Sequence, residues 1–143
     1  MTTSTTTSND NNPAGEATYT VGILRDFVAQ HRLIGGDWGR ENQPHSHHYR
    51  LEAIFEGDRL DRHGYLLDIA EIEPRLDQLV ERYRDRMLND LPELDGQNPG
   101  LERFAGILAE RICDGLPAGD VRAVTIKLWE SDTAFATCRR VLR

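Results

Sequence analysis

HSHHYRLEAIFEG, residues 45–57, sorts its side chains by parity. His45, His47, Tyr49, Leu51, Ala53 and Phe55 fall on one side. Ser46, His48, Arg50, Glu52 and Glu56 fall mostly on the other. Successive side chains of a strand point to opposite faces, so this pattern predicts a half-buried strand. Two histidines open its apolar face. Being two residues apart, they project to the same side, roughly 7 Å apart along the backbone.

The preceding segment, YTVGILRDFVAQHRL (residues 19–33), has the same character. Tyr19, Val21, Ile23, Phe27, Ala29, His31 and Leu33 share one parity. Arg25 interrupts it and predicts a bulge or a strand end there. A Gly-rich connection from Gly35 to Pro44 separates the two segments. An antiparallel hairpin across it brings His31 toward His45 and His47.

Downstream of a turn at Gly57–Asp58 the period changes from two to that of a helix. Ile69, Ile72, Leu76, Leu79, Val80 and Tyr83 form one stripe. Pro74 is disfavoured in a helix interior, so the regular helix is expected to begin there. After a loop from Asn89 to Gln97, Asn98 is the expected cap and Pro99 the first residue of a second helix. Its stripe is Leu101, Phe104, Ala105, Leu108 and Ile112, and Gly115 and Pro117 end it. Two alternating segments close the chain. Val124, Ile126, Leu128 and Glu130 share one face of the first, and Ser131–Asp132 turns into the second. Strand, strand, helix, helix, strand, strand predicts an α+β domain: a four-stranded antiparallel sheet with two helices on one face.

Composition narrows the function. The formal net charge of the 143 residues is -7, without the basic face that duplex nucleic acid demands. No apolar run approaches the length of a spanning helix, so no membrane role is expected. Cys113 and Cys138 read as reduced, buried thiols of a cytoplasmic protein rather than a disulfide scaffold. Residues 1–18 (MTTSTTTSNDNNPAGEAT) are polar and of low complexity, and read as a disordered tail. Residues 19–143 are then a single domain.

Three neutral imidazoles with one open position suit a catalytic zinc ion, so His31, His45 and His47 are the candidate metal ligands. On the other side stands the ordinary histidine, exposed or satisfied, since His-x-His alone is a weak signal. The face favours the metal: a buried polar group without a partner costs about 1–3 kcal/mol. Glu130 also lies on a core face. It could pair with a buried arginine, or accept two N–H donors from a flat guanidine-like ligand edge. His48 and His63 are expected to face solvent.

These residues resemble the 6-pyruvoyl-tetrahydropterin synthase and 6-carboxytetrahydropterin synthase (queuosine-pathway) family. FVAQHRL resembles the strand carrying the first zinc ligand, here His31. HSHHY resembles the family's HGHNY, with His45 and His47 as the other ligands. GYLLDI (64–69) resembles the approach to the first helix, and NPGLERFA (98–105) the PTxEN-x-A that opens the second. VTIKLWES (124–131) resembles the strand ending in the pterin-anchoring glutamate, here Glu130. The resemblance implies the tunnelling fold, with subunits closing into barrels as a homo-oligomer, a hexamer made of two trimers, and active sites between subunits. It implies a lyase that holds Zn2+, acts on 7,8-dihydroneopterin triphosphate and releases triphosphate.

Several positions depart from the family pattern. The usual catalytic cysteine, four residues before the first histidine of His-x-His, is Glu41. The family's Asp-His pair is Arg84–Asp85, and the threonine of PTxE is Gly100. Glu41 and Asp85 are therefore the candidates for moving protons. A carboxylate between a metal and apolar walls is a competent base near neutral pH. A solvated loop residue is the plain alternative for Glu41, as is a charged helix end for Asp85. A glutamate-bearing subgroup of the family makes 6-hydroxymethyl-dihydropterin for folate synthesis, its glutamate three residues before the histidine rather than four. A catalytically altered pterin-binding homologue is the further alternative.

Overall fold

The computed structural model describes residues 17–117 and 119–142. Apart from its last two residues, the expected N-terminal tail lies outside them. Four strands form one sheet: β1 (Tyr19–His31), β2 (His45–Gly57), β3 (Ala123–Trp129) and β4 (Phe135–Val141). Their order across the sheet is their order in sequence, and every pairing is antiparallel. Two helices, α1 (Ile69–Tyr83) and α2 (Leu101–Cys113), lie between β2 and β3 in sequence and cover one face. Among the described residues no helix is long and apolar enough to cross a membrane.

The core is where the two periodicities meet. Ile23, Phe27, Tyr49, Leu51, Phe55, Ile126 and Leu128 come from the sheet; Leu76, Tyr83, Phe104 and Leu108 come from the helices. Phe104 is fully buried and touches three rings: Phe27, Tyr49 and Tyr83. The last residue of β2, Gly57, has no room for a side chain. A Cβ there would collide with the backbone carbonyl of Asp120 and with Leu66.

Three local expectations are corrected. β1 runs unbroken past Arg25, paired residue for residue with β2, and it ends at His31. Arg25 occupies the helix-facing side because α1 supplies its counter-charges: its guanidinium donates to Asp77 at 2.6 Å and to Glu73 at 3.1 Å. No bulge is then required.

The first helix begins at Ile69, ahead of Pro74. The Asp68 side chain accepts from the Ala70 N–H at 3.0 Å and caps it. Pro74 then sits just past the first turn, and the Ala70 carbonyl goes without its i→i−4 donor. The second helix is capped by Gly100, not Asn98. Asn98 and Pro99 are engaged elsewhere. The Asn98 side-chain oxygen accepts from the Ile34 N–H at 3.4 Å, and the Pro99 carbonyl faces His31.

One edge of the sheet is β4. The other is β1, which the segment after α1 partly covers. The Asp85 N–H donates to the Val28 carbonyl at 2.7 Å, and the Gln30 N–H donates to the Arg86 carbonyl at 2.8 Å.

Candidate active site

His31 and His45 are Cα partners on the last rung of the β1–β2 pairing, and His47 lies opposite Ala29, one inward position further along. Register alone therefore gathers the three imidazoles. Their ring centroids are 4.6, 4.7 and 5.0 Å apart. One ligand-type nitrogen from each lies within 4.8 Å of the other two.

Two of the three rings, His31 and His45, are oriented as a metal site requires. His31 Nδ1 donates to the Pro99 carbonyl at 2.9 Å, and His45 Nδ1 donates to the Gln43 carbonyl at 2.8 Å. Each bond fixes the tautomer and leaves Nε2 with a lone pair. Both of these Nε2 atoms are buried and have no hydrogen-bond partner. Two adjacent orphaned acceptors are costly unless something electrophilic occupies the space between them. Burial pushes His31 down to about 4, and the neighbouring His47 and His45 act in the same direction. The ring is therefore neutral at physiological pH, the form that ligates a metal. The three histidines fit a metal ion, and their all-imidazole donor set suits zinc.

A cleft of about 590 Å³ opens beside His31. Glu41, Glu102, Glu130 and Thr137 give it polar groups, and Leu101 and Phe135 give it apolar walls. Glu41 sits in a short 3-10 turn, Gly39–Asn42, with its carboxylate 3.9 Å from His45 Nε2. Glu130 follows the last residue of β3, and its N–H donates to the Ala134 carbonyl at 3.1 Å across the hairpin. The arginine ion pairs of the described residues are centred elsewhere, on Arg25, Arg50, Arg82, Arg84, Arg111 and Arg139. The buried arginine partner considered for Glu130 is therefore not among them. Its charge also reaches inward: the buried Tyr49 hydroxyl is raised above its ordinary range, first by burial and then by Glu130.

The structure thus brings His31, His45, His47, Glu41 and Glu130 to one end of the sheet. It does not bring Asp85 there within one chain. Asp85 is exposed, with φ 59°, on the turn after α1, where its backbone pairs with β1. His48 and His63 are exposed, as expected. Glu102 and Thr137 were not singled out from the sequence as cleft residues. Glu102 lies in the helix-opening segment 98–105, and that position was its only signal. Thr137, on an edge strand, gave none.

A four-stranded antiparallel sheet, two helices inserted at its middle and a histidine triad at the hairpin mouth define a tunnelling-fold subunit with a metal-type site. The model of the family described as 6-pyruvoyl tetrahydropterin synthase matches residues 20–141, and the chain belongs to that family. Among solved structures it is similar to the Caenorhabditis elegans 6-pyruvoyl tetrahydropterin synthase, with 20% identity and a TM-score of 0.76, over 87% of this chain and 97% of that one. The Plasmodium vivax 6-pyruvoyl tetrahydropterin synthase matches with 10% identity and a TM-score of 0.74, over 89% of this chain and 100% of that one. Variants of that protein carry replacements of a glutamate described as a catalytic residue. An uncharacterized protein of Wolinella succinogenes shares the fold at 15% identity and a TM-score of 0.67, over 90% of this chain and 100% of that one. Comparison with curated proteins gave no match.

Proposed function

We propose that this protein is a zinc-dependent lyase of the 6-pyruvoyl-tetrahydropterin and 6-carboxytetrahydropterin synthase type, acting on 7,8-dihydroneopterin triphosphate. The observation that carries this reading is the pair of buried, unpartnered Nε2 atoms of His31 and His45, gathered with His47 beside a cleft lined by Glu41 and Glu130. His31, His45 and His47 would hold the ion, whose chemistry is to acidify hydroxyl groups and polarise a carbonyl. Glu130 anchors the pterin by accepting two N–H donors from its flat guanidine-like edge, a charge-assisted fork. Glu41 stands where the family's usual cysteine would be and moves protons on the substrate side chain. Leu101 and Phe135 give the ring an apolar wall.

A homo-oligomer completes the reading. The β4 edge and the part of β1 not covered by residues 85–87 leave strand edges that barrel closure between subunits would pair. Asp85, away from the cleft in its own chain, contributes to catalysis only if a neighbouring subunit places it there. Residues 19–143 act as the single working domain, in a soluble, cytoplasmic protein.

The test is incubation of zinc-loaded protein with 7,8-dihydroneopterin triphosphate, followed by mass spectrometry of the products. Triphosphate with a 6-pyruvoyl or 6-carboxy product is the expected result; no triphosphate from fully loaded protein sinks the lyase reading. Glu130→Gln should weaken pterin binding roughly 100-fold, since a charge-assisted fork is worth about 3 kcal/mol. A second reading is favoured by Glu41 itself: a glutamate-type variant that yields 6-hydroxymethyl-dihydropterin. The same mass spectrum separates the two.

A further inference from the structure

We infer that Glu41 is a fourth, displaceable ligand of the ion held by the three histidines, parked there until substrate arrives. This rests on the metal reading above. In a four-coordinate zinc site with ligand bonds of 2.0–2.2 Å, donor atoms stand about 3.4 Å from one another. Glu41 Oε1 is 3.9 Å from His45 Nε2. The carboxylate lies outside the cluster in which the three histidine nitrogens stand within 4.8 Å of one another, so a change of side-chain rotamer, not a small shift, completes the set. The rotation is open to it: the side chain is 56% exposed, and His45 is the ionisable side chain paired with it among the described residues.

The backbone beneath Glu41 is held firmly. The Leu33 N–H donates to the Glu41 carbonyl at 2.8 Å. Its neighbour Asn42 staples the loop, donating to the Leu33 and Gly36 carbonyls at 2.9 and 3.0 Å and accepting from the Trp38 N–H at 2.8 Å. The Gln43 carbonyl in the same loop orients the His45 ring. One braced loop thus aims a histidine and delivers a carboxylate to the same point. An exposed side chain on a braced backbone suits a ligand that must come and go. Once displaced by substrate oxygen, the carboxylate is already within reach of the protons it is to move.

The rival account is that Glu41 is only a charge near the site. Metal-free wild type and Glu41→Ala protein are loaded with Co2+ alone and, separately, titrated with Zn2+ against a chelator. The inference expects a changed Co2+ d–d spectrum in Glu41→Ala and Zn2+ affinity weaker by roughly tenfold or more. Added acetate should shift the variant spectrum back toward that of the wild type, and the near-isosteric Glu41→Gln should show the same spectral change. Superimposable Co2+ spectra overturn the inference, even if affinity falls, because loss of a nearby charge alone also weakens cation binding. Metal bound equally by both proteins with one spectrum leaves the zinc reading standing; metal bound by neither overturns both.

Discussion

Glu93 takes hydrogen bonds from Arg82 and Tyr83 and pairs with Arg111, and its replacement by glutamine has a calculable outcome. The carboxylate accepts from Arg82 at 2.7 and 2.6 Å and from the Tyr83 hydroxyl at 2.7 Å, while Arg111 of α2 approaches to 3.3 Å. It therefore ties the end of α1 to α2. The Arg82 hydrogen bonds, the largest influence, hold the Glu93 carboxyl at about 2 against an ordinary 4.5. That difference corresponds to roughly 3 kcal/mol at 1.36 kcal/mol per pH unit. The Glu93 side chain is 12% exposed, but Arg82 and Arg111 are 37% and 40% exposed, so solvent screens part of the attraction. A cost of about 2 kcal/mol for Glu93→Gln at pH 7 is the discounted figure. For a domain of this size that is a fall in Tm of roughly 6–10 °C.

The sign with pH is fixed because the folded value is the lower one. Stability from Glu93 is complete above the unfolded value near 4.5 and is lost as pH falls through about 2. A protonated Glu93 and a glutamine are both neutral, so the two proteins should converge in acid. Urea unfolding at pH 7, 4 and 2.5 measures the gap between them. A gap below about 0.5 kcal/mol at pH 7, within the range of ordinary surface substitutions, would refute the reasoning. So would one that does not narrow toward pH 2.5.

Phe104→Ala should cost about 3–5 kcal/mol, because it empties a fully buried site walled by three aromatic rings, and thermal unfolding would show it. His47→Ala should abolish stoichiometric zinc by elemental analysis while leaving the circular dichroism of the metal-free protein unchanged, since His47 lies at the rim of the core. Retention of zinc by that variant would remove His47 from the ligand set.

The strands were legible because each carries an apolar parity, and the same parity exposed the three histidines and Glu130 as polar groups on the wrong face. Arg25 looked like a break for a reason the strand alone could not answer: its partners, Glu73 and Asp77, lie about 50 residues away. The helix starts are not legible from the local preferences of proline and asparagine. Asn98 and Pro99 instead serve the loop after β1 and the His31 ring. Glu102 and Thr137 were illegible as cleft residues because their neighbours there come from other elements. Glu41 could be proposed only through the resemblance, since a glutamate among Gly39, Arg40, Asn42 and Gln43 reads as loop.

The hydrogen bond from His31 to the Pro99 carbonyl has a thermodynamic consequence. Pro99 directly precedes Gly100, Leu101 and Glu102, which line the cleft. Anything bound there that shifts this segment also shifts the acceptor that aims the His31 ring. Linkage is reciprocal: whatever factor a metal adds to the affinity for an organic ligand, the ligand adds to the affinity for the metal. Measured in either order, the two constants should close a square, and metal retention at low free zinc becomes a sensor of cleft occupancy.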